Sequence, residues 1–239
     1  MASWAPVPRS AGLEHWVDRK AAVAMHRVLL EQFIASFAAP PSELILDFDA
    51  TDDRVHGQQE GRFFHGYYGA YCFLPLYVFC GDQLLVSYLR PSKTGAARHA
   101  WAILKLLVRR LREQWPEVKI IVRADSGFCR WKMLRWCDRA GVDYIVGLAR
   151  NSRLEALGAP LMAQAQAAHT ATKVKQRHFA WLEYAASTWD RPRKVIAKAE
   201  YTDQGRNPRF VVTSLVGDAQ PLYDEVYCAR GEMEPSGAR

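Results

Sequence analysis

The sequence lacks the features that mark secreted, zinc-binding and membrane-spanning proteins. Its five cysteines are odd in number and form no C-x-x-C pair, which argues against a disulfide framework and a structural zinc site. We therefore expect buried free thiols in a reducing compartment. The longest apolar run, "YCFLPLYVFC", has ten residues and a proline, too few to cross a bilayer. The opening "MASWAPVPRS" has no basic stretch followed by an apolar one, so we expect no signal peptide and a cytoplasmic location.

The sequence does carry an excess of positive charge on an ordinary globular composition. Apolar residues make up 49% of the 239 residues, enough for one substantial core. The formal net charge is +7 and the pI about 9.2. Because a strongly basic protein most often meets a polyanion, we expect a nucleic acid partner.

The order of predicted elements indicates an α/β fold with a mixed sheet. A helix over residues 18–38, with a stripe of Met25, Leu29, Phe33 and Phe37, precedes the strand "LILDF". Two antiparallel strands are predicted within residues 62–90, joined by a tight turn at "CGDQ". Helices and strands then alternate as in βαβ units, through "ARHAWAILKLLVRRLREQW", "VKIIVRA", "CRWKMLRWCDRAG" and "VDYIVGLA".

The pattern changes after residue 150. An alanine-rich helix is followed by three predicted strands, "FAWLEYAA", "KVIAKAEY" and "RFVVTSLV", which we interpret as an insertion before a closing helix near Leu222. Three meandering strands, βαβ units and a β-rich insertion are thus the predicted architecture.

The stretch "LILDFDATDD" supports two different chemistries. Asp47-Phe48-Asp49-Ala50-Thr51 has the D-x-D-x-T form of haloacid dehalogenase-like phosphatases, with Asp47 as nucleophile and Asp49 as general acid. Phosphatases of this kind also carry a later acidic pair of the form G-D-x-x-x-D, but Leu222 stands four residues after Asp218, where the second acid would be. They also have a parallel sheet, whereas the strands predicted here begin with an antiparallel group.

The second chemistry uses carboxylates that are far apart in the chain. Asp49 ends one predicted strand and Asp125 ends another, so adjacent strands would bring both to one edge of the sheet. A third acid would complete a site for two divalent ions, which activate an attacking hydroxyl and stabilise the leaving oxygen of a phosphodiester. Mg²⁺ suits hard carboxylate oxygens.

The closing segment "YCARGEMEP" supplies a candidate for the third acid, although a stripe of Tyr, Arg and Glu is also typical of a solvated ion-pair face. Tyr227, Arg230 and Glu234 stand at i, i+3 and i+7, on one face of a helix. We expect Glu234 to face the metal and Tyr227 and Arg230 to contact DNA. Arg123 and Arg130, on either side of Asp125, are further predicted DNA contacts.

These motifs together resemble the DDE transposases of bacterial insertion sequences, which share the RNase H-like fold of retroviral integrases. The matching stretches, spread over roughly residues 30–234, are "LDFDATDD", "HGQQEGRFFHGYYGAYCFLPLYVFCG", "IIVRADSGF", "WCDRAGVDYIVGLARN" and "YCARGEME". The last fits the Y-x2-R-x3-E-x6-K signature of one branch.

The resemblance implies a catalytic and metal-binding triad of Asp49, Asp125 and Glu234. Asp49 takes precedence over Asp47 because Thr51 stands two residues after it, where the family has a small hydroxyl residue. The implied cofactor is a pair of Mg²⁺ or Mn²⁺ ions. The implied partners are transposon-end and target DNA, together with a second copy of the chain in an active homodimer, and no membrane.

The resemblance also implies a division of the chain into four parts. They are a helical amino-terminal remnant (1–40), an RNase H-like catalytic core (41–150), a β-rich insertion (151–218) and a truncated catalytic helix (219–239). The signature lysine would stand after Arg239, and Pro235 disfavours helical geometry at Glu234. We therefore expect a truncated transposase, with an inactive DNA-binding remnant as the alternative, associated with the bacterial nucleoid.

Overall fold

The computed structural model describes residues 19–229, with side chains for residues 23–229. Glu234 and Arg230 therefore lie outside the described residues. The described elements include four helices of ten residues or more: α1 (Arg19–Ala35), α2 (Ala100–Gln114), α3 (Trp131–Ala140) and α4 (Ser152–Thr172). None of the described helices is long and apolar enough to cross a membrane.

Eight strands form one mixed sheet. They are β1 (Glu43–Ala50), β5 (Leu76–Cys80), β6 (Gln83–Tyr88), β7 (Lys119–Ala124), β8 (Asp143–Leu148), β9 (Gln176–Tyr184), β10 (Arg193–Thr202) and β11 (Gly205–Thr213). Their order across the sheet is β6-β5-β1-β7-β8-β11-β10-β9. Three short strands, β2 (Asp53–Arg54), β3 (Phe63–His65) and β4 (Ala70–Phe73), form a second sheet in the order β2-β4-β3.

The predicted fold class is confirmed. β1, β5 and β6 are antiparallel neighbours, whereas β1, β7 and β8 are parallel and are linked through α2 and α3. The predicted tight turn is present, since β5 ends at Cys80 and β6 begins at Gln83, with Gly81 at φ 59°. The buried stripe of α2 consists of Ala100, Leu104, Leu107, Val108 and Leu111, and it packs on the core of the sheet.

Two local predictions were wrong. The aromatic run "FFHGYYGAYCFLPLYVF" is not one strand, because the chain turns at residues 66–69 and Pro75 separates β4 from β5. Gly66 and Gly69 belong to that turn. In α1 the residues buried in the core are Leu30, Phe33 and Ile34. The predicted stripe began at Met25, which is exposed, so the prediction placed the first turn of the helix on the wrong face.

The three late strands extend the main sheet. β11 pairs with β8 in antiparallel fashion, and β10 and β9 follow outward. Arg193, almost fully buried at the start of β10, fastens this extension to the earlier part of the fold. It donates to the Tyr144 hydroxyl at 3.1 Å and to Asp138 at 2.7 Å. The segment predicted as an insertion therefore shares one continuous sheet with the predicted core.

The five cysteines are all free thiols. Cys72, Cys80 and Cys137 are buried, as expected for small apolar side chains, and burial raises the pKa of the Cys137 thiol to about 12. Cys228 is exposed and Cys129 is half-buried, so the expectation of buried thiols fits three of the five.

Candidate active site

Asp49 and Asp125 lie at the same edge of the sheet. β1 and β7 are parallel neighbours, and their last registered pair is Phe48 with Ala124. Asp49 and Asp125 are each the next residue along the chain, so they stand side by side where the pairing of β1 with β7 ends, while β1 continues to pair with β5 through Ala50. Parallel strands run about 4.8 Å apart, which brings both carboxylates to one position on the edge. We call this position the acid edge.

Local hydrogen bonds orient each carboxylate. The Thr51 hydroxyl donates to Asp49 Oδ2 at 2.7 Å, which gives a physical role to the hydroxyl residue two positions after the first acid. The Gly127 backbone N–H donates to Asp125 Oδ1 at 2.7 Å, and Asp125 thereby caps the short 3₁₀ helix Ser126–Phe128. The other oxygen of Asp125 makes no hydrogen bond within residues 23–229. Both side chains are half-buried and reachable from solvent.

Asp47 is excluded from chemistry by its burial. It is 2% exposed, and both of its oxygens accept hydrogen bonds from Arg123, its registered partner on β7, with Nη2 at 2.7 Å from Oδ2. A carboxylate held in this way presents no oxygen to a substrate. The phosphatase reading needed Asp47 as an accessible nucleophile, and this geometry removes it.

Arg123 has a structural role in this arrangement. It is 6% exposed, and its Nη1 donates to the backbone carbonyl of Val226 at 2.6 Å. The predicted contact of Arg123 with DNA does not fit this position, because all three guanidinium nitrogens are engaged inside the protein. Arg130 differs, since its exposed side chain precedes α3 just beyond the acid edge.

Tyr227 is brought to the acid edge by the closing helix. That helix begins with Ala219–Pro221 and continues as a π-helix over Leu222–Tyr227. A Cβ placed on Gly147 of β8 would lie 2.6 Å from the Tyr227 hydroxyl and 2.8 Å from the Ser126 backbone N. The Tyr227 ring thus reaches the backbone directly after Asp125 only because residue 147 has no side chain.

Substituting Gly147 by alanine should loosen this contact. The new methyl group would overlap both the Tyr227 hydroxyl and the Ser126 backbone, so the closing helix must shift away from the sheet. We expect G147A to lower the free energy of unfolding by about 1–3 kcal/mol, as for overpacked cores. Urea titration followed by circular dichroism measures this. The control is G66A, where an added Cβ meets nothing within 4 Å; equal stability of the two variants would contradict the tight approach.

Tyr68 is a residue at the acid edge that the sequence patterns do not single out. It lies in the turn between β3 and β4, and its ring packs against His65 with centroids 4.8 Å apart. Burial raises the pKa of the Tyr68 hydroxyl, and the charges of Asp52, Tyr67, Asp49 and Asp125 raise it further. Tyr68 therefore stands near enough to the two acids to be influenced by their charge.

The donor set suits a divalent cation but is incomplete within the described residues. Asp49 and Asp125 supply hard carboxylate oxygens from adjacent strands. Within residues 23–229, no group of three or more His, Cys, Asp or Glu side chains is placed to hold a metal ion. The predicted third acid, Glu234, follows Tyr227 by seven residues and lies outside the described residues, so the three-carboxylate arrangement stays a prediction.

Comparison with known proteins assigns the family. The family model described as "Transposase DDE domain group 1" matches residues 1–236. The chain belongs to the DDE transposase family. This confirms the resemblance drawn from the motifs. Transposases of this family work with divalent metal ions, although neither the ion nor the number of ions is fixed by the match.

Among solved structures, one similar chain is that of a piggyBac transposase in a synaptic complex with hairpin DNA. The identity is 10% and the TM-score 0.45, over 91% of the present chain and 46% of that transposase. The chain thus spans less than half the length of that protein. No protein with a curated description matches the sequence.

Proposed function

We propose that the protein is a DNA transposase that uses Asp49 and Asp125 to hold divalent metal ions for cleavage and transfer of DNA strands. The observation that carries the proposal is the placement of these two acids at the ends of neighbouring parallel strands in a chain of this family. The phosphodiester backbone of DNA is the proposed substrate. Glu234 is proposed as the third acid, and Tyr227, Arg230 and Arg130 as contacts to DNA.

At the acid edge, two carboxylates are proposed to bind the cation, and neighbouring groups orient those carboxylates. Asp49 and Asp125 bind the cation, and their orientation is fixed by Thr51 and by the Gly127 N–H before any ligand arrives. These two carboxylates would hold Mg²⁺ or Mn²⁺, proposed as a pair, which would supply activation of the attacking hydroxyl and neutralisation of charge on the phosphate. Arg123 and Gly147 hold the closing helix in position, which places Tyr227 beside Asp125.

The proposal extends to assembly and location. Transposon ends and target DNA are the proposed partners, with a homodimer as the active form, at the bacterial nucleoid. An inactive DNA-binding remnant of a transposase is the other candidate. Both would retain the acid edge, so a measurement of activity decides between them.

Metal-dependent cleavage of DNA tests the proposal. Purified protein is incubated with supercoiled DNA and Mg²⁺ or Mn²⁺, and nicked products are followed on gels. We expect D49N and D125N each to reduce the cleavage rate by about 100-fold or more, because each removes an ionised metal ligand.

A matched control separates the acid edge from general loss of acidic charge. D82N removes an exposed carboxylate from the turn between β5 and β6, at the opposite end of β1, and should cleave like the wild type. Cleavage that survives in D125N or that needs no metal would overturn the proposed mechanism. Metal-independent binding without any cleavage would favour the remnant.

A further inference from the structure

The loop between β6 and α2, residues 91–98, has a fixed shape imposed by a buried arginine. Arg90 is 1% exposed and has no carboxylate partner among the described residues. Its Nε donates to the Leu74 carbonyl at 2.9 Å, and its Nη1 donates to the carbonyls of Ala96 and Arg98 at 2.8 and 2.6 Å. One guanidinium thus ties the far end of the loop back to its start. We call residues 91–98 the arginine-tied loop.

The arginine-tied loop lies against the acid edge. A Cβ placed on Gly127 would be 3.1 Å from the Ala96 side chain and 3.0 Å from Asp125 Oδ1, so Ala96 and the Asp125 carboxylate flank the same glycine. On its other side the loop meets the second sheet, because the Ser92 hydroxyl donates to the Phe63 carbonyl at 2.8 Å. The loop therefore borders the acid edge and is braced from both sides.

The sequence around the arginine-tied loop contains basic residues but no acidic ones. Residues 83–112 contain seven Lys or Arg and no Asp or Glu. Some of these cations are engaged within the protein: Arg110 pairs with Glu31, and Arg112 donates to backbone carbonyls. Lys93 and Arg98, both in the loop and both exposed, form no ion pair within the described residues. Lys93 only rests on the Phe63 ring, at 4.3 Å.

Positive charge in the arginine-tied loop favours binding of DNA beside the acids. Asp49, Asp52, Asp53 and Asp125 together repel a phosphodiester until metal is bound. Cations placed next to the carboxylates offset that repulsion and attract the DNA backbone. Lys93 and Arg98 stand three and two residues from Ala96, the loop residue that lies beside Gly127 and Asp125, and within the described residues neither forms an ion pair with the acids.

We propose that the arginine-tied loop is a binding site for the DNA phosphodiester backbone, with Lys93 and Arg98 as its phosphate contacts and Arg90 as the residue that fixes its shape. The loop holds the strand beside the acid edge, where cleavage takes place. Because Arg90 orders the loop before DNA arrives, little ordering is needed on binding. The inference deepens the proposed function and rests on it for the identity of the polyanion.

Binding in the absence of metal tests the loop separately from catalysis. Fluorescence anisotropy with labelled duplex DNA, in EDTA and over a series of salt concentrations, compares the wild type with K93Q/R98Q. We expect the double variant to bind at least about tenfold more weakly. The slope of log affinity against log salt should become shallower by about 0.9 for each lost phosphate contact.

The matched control is R139Q/K194Q, which also removes one exposed arginine and one exposed lysine. Arg139 lies in the last turn of α3, and Lys194 is the second residue of β10, three strands away from β7 across the sheet, so both stand away from the arginine-tied loop. We expect this variant to keep the wild-type salt slope. All three proteins should melt at the same temperature, since the substituted side chains are exposed.

The outcomes separate the inference from the proposed function. Equal losses in the two double variants would overturn the loop as a site, because net charge alone would then explain binding. If K93Q/R98Q binds like the wild type while D125N still abolishes metal-dependent cleavage, the loop fails and the proposed function stands. A wild type that binds no DNA under these conditions would overturn both.

Discussion

Replacing Arg123 by methionine should destabilise the protein more than any other single substitution considered. The variant leaves the Asp47 carboxylate 2% exposed with no cation, and it frees the Val226 carbonyl that the guanidinium holds. Removing one partner of a buried ion pair costs about 3–5 kcal/mol, because the remaining charge stays buried. Urea unfolding followed by tryptophan fluorescence measures the loss.

The control for R123M is K119Q, on the same two strands. Lys119 Nζ lies 2.8 Å from Glu43 Oε2, but this pair is well exposed to solvent, so its loss should cost less than about 1 kcal/mol. Rescue of R123M by a second substitution, D47L, would support the assignment of the cost to the orphaned carboxylate. Equal stability of R123M and K119Q would contradict the structural role proposed for the buried ion pair of Asp47 and Arg123.

Substituting Arg193 by methionine should have the second largest effect on stability. Arg193 joins β10 to Tyr144 on β8 and to Asp138 on α3, so it ties the late strands to the earlier part of the sheet. Hydrogen bonds to charged groups contribute about 1.5–3 kcal/mol each, and the side chain is almost fully buried. We expect a loss of about 3 kcal/mol in the free energy of unfolding.

The control for R193M is R191Q, which removes a different arginine from the same carboxylate. Arg191 Nη2 lies 3.0 Å from Asp138 Oδ2, but its side chain is more than half exposed, so water replaces it at little cost. Hydrogen exchange adds spatial detail: R193M should speed exchange in β9 and β10 before β1 and β7. An equal rise in the hydrogen-exchange rates of all strands would contradict a local role of Arg193 in holding β9 and β10.

Much of the acid edge can be predicted from the sequence because its signals are local. "LILDFD" and "KIIVRAD" are apolar runs that end in a carboxylate, and runs of this kind form buried parallel strands. Their parallel pairing follows from the helix between them. The amphipathic stripe of α2 is equally local, because its buried residues Ala100, Leu104, Leu107 and Leu111 recur at helical spacing.

The run of residues 63–79 shows where local signals fail. Its side chains are apolar or aromatic almost throughout, so no alternation separates one strand from three. The chain turns there because Gly69 adopts a φ of 62° and Pro75 donates no hydrogen bond to a ladder. Which of several glycines takes the left-handed conformation depends on packing that the sequence does not show.

Contacts between distant residues were the least predictable. Arg123 reads as a DNA contact because it stands two residues before Asp125, yet its partners are 76 and 103 residues away. A signal did exist, since Asp47 and Arg123 carry opposite charges and each directly follows an apolar run, at positions that are registered with each other in the sheet. The arginine-tied loop gave no such signal, because its shape depends on backbone carbonyls.

Binding of Mn²⁺ tests the central claim most directly. Electron paramagnetic resonance counts the free ion during titration of wild-type, D49N, D125N and D82N proteins, without requiring DNA or turnover. We predict that the wild type and D82N bind Mn²⁺ equally and that D49N and D125N each weaken binding by about 10-fold or more. Unchanged Mn²⁺ affinity in both D49N and D125N would contradict a metal site at the acid edge.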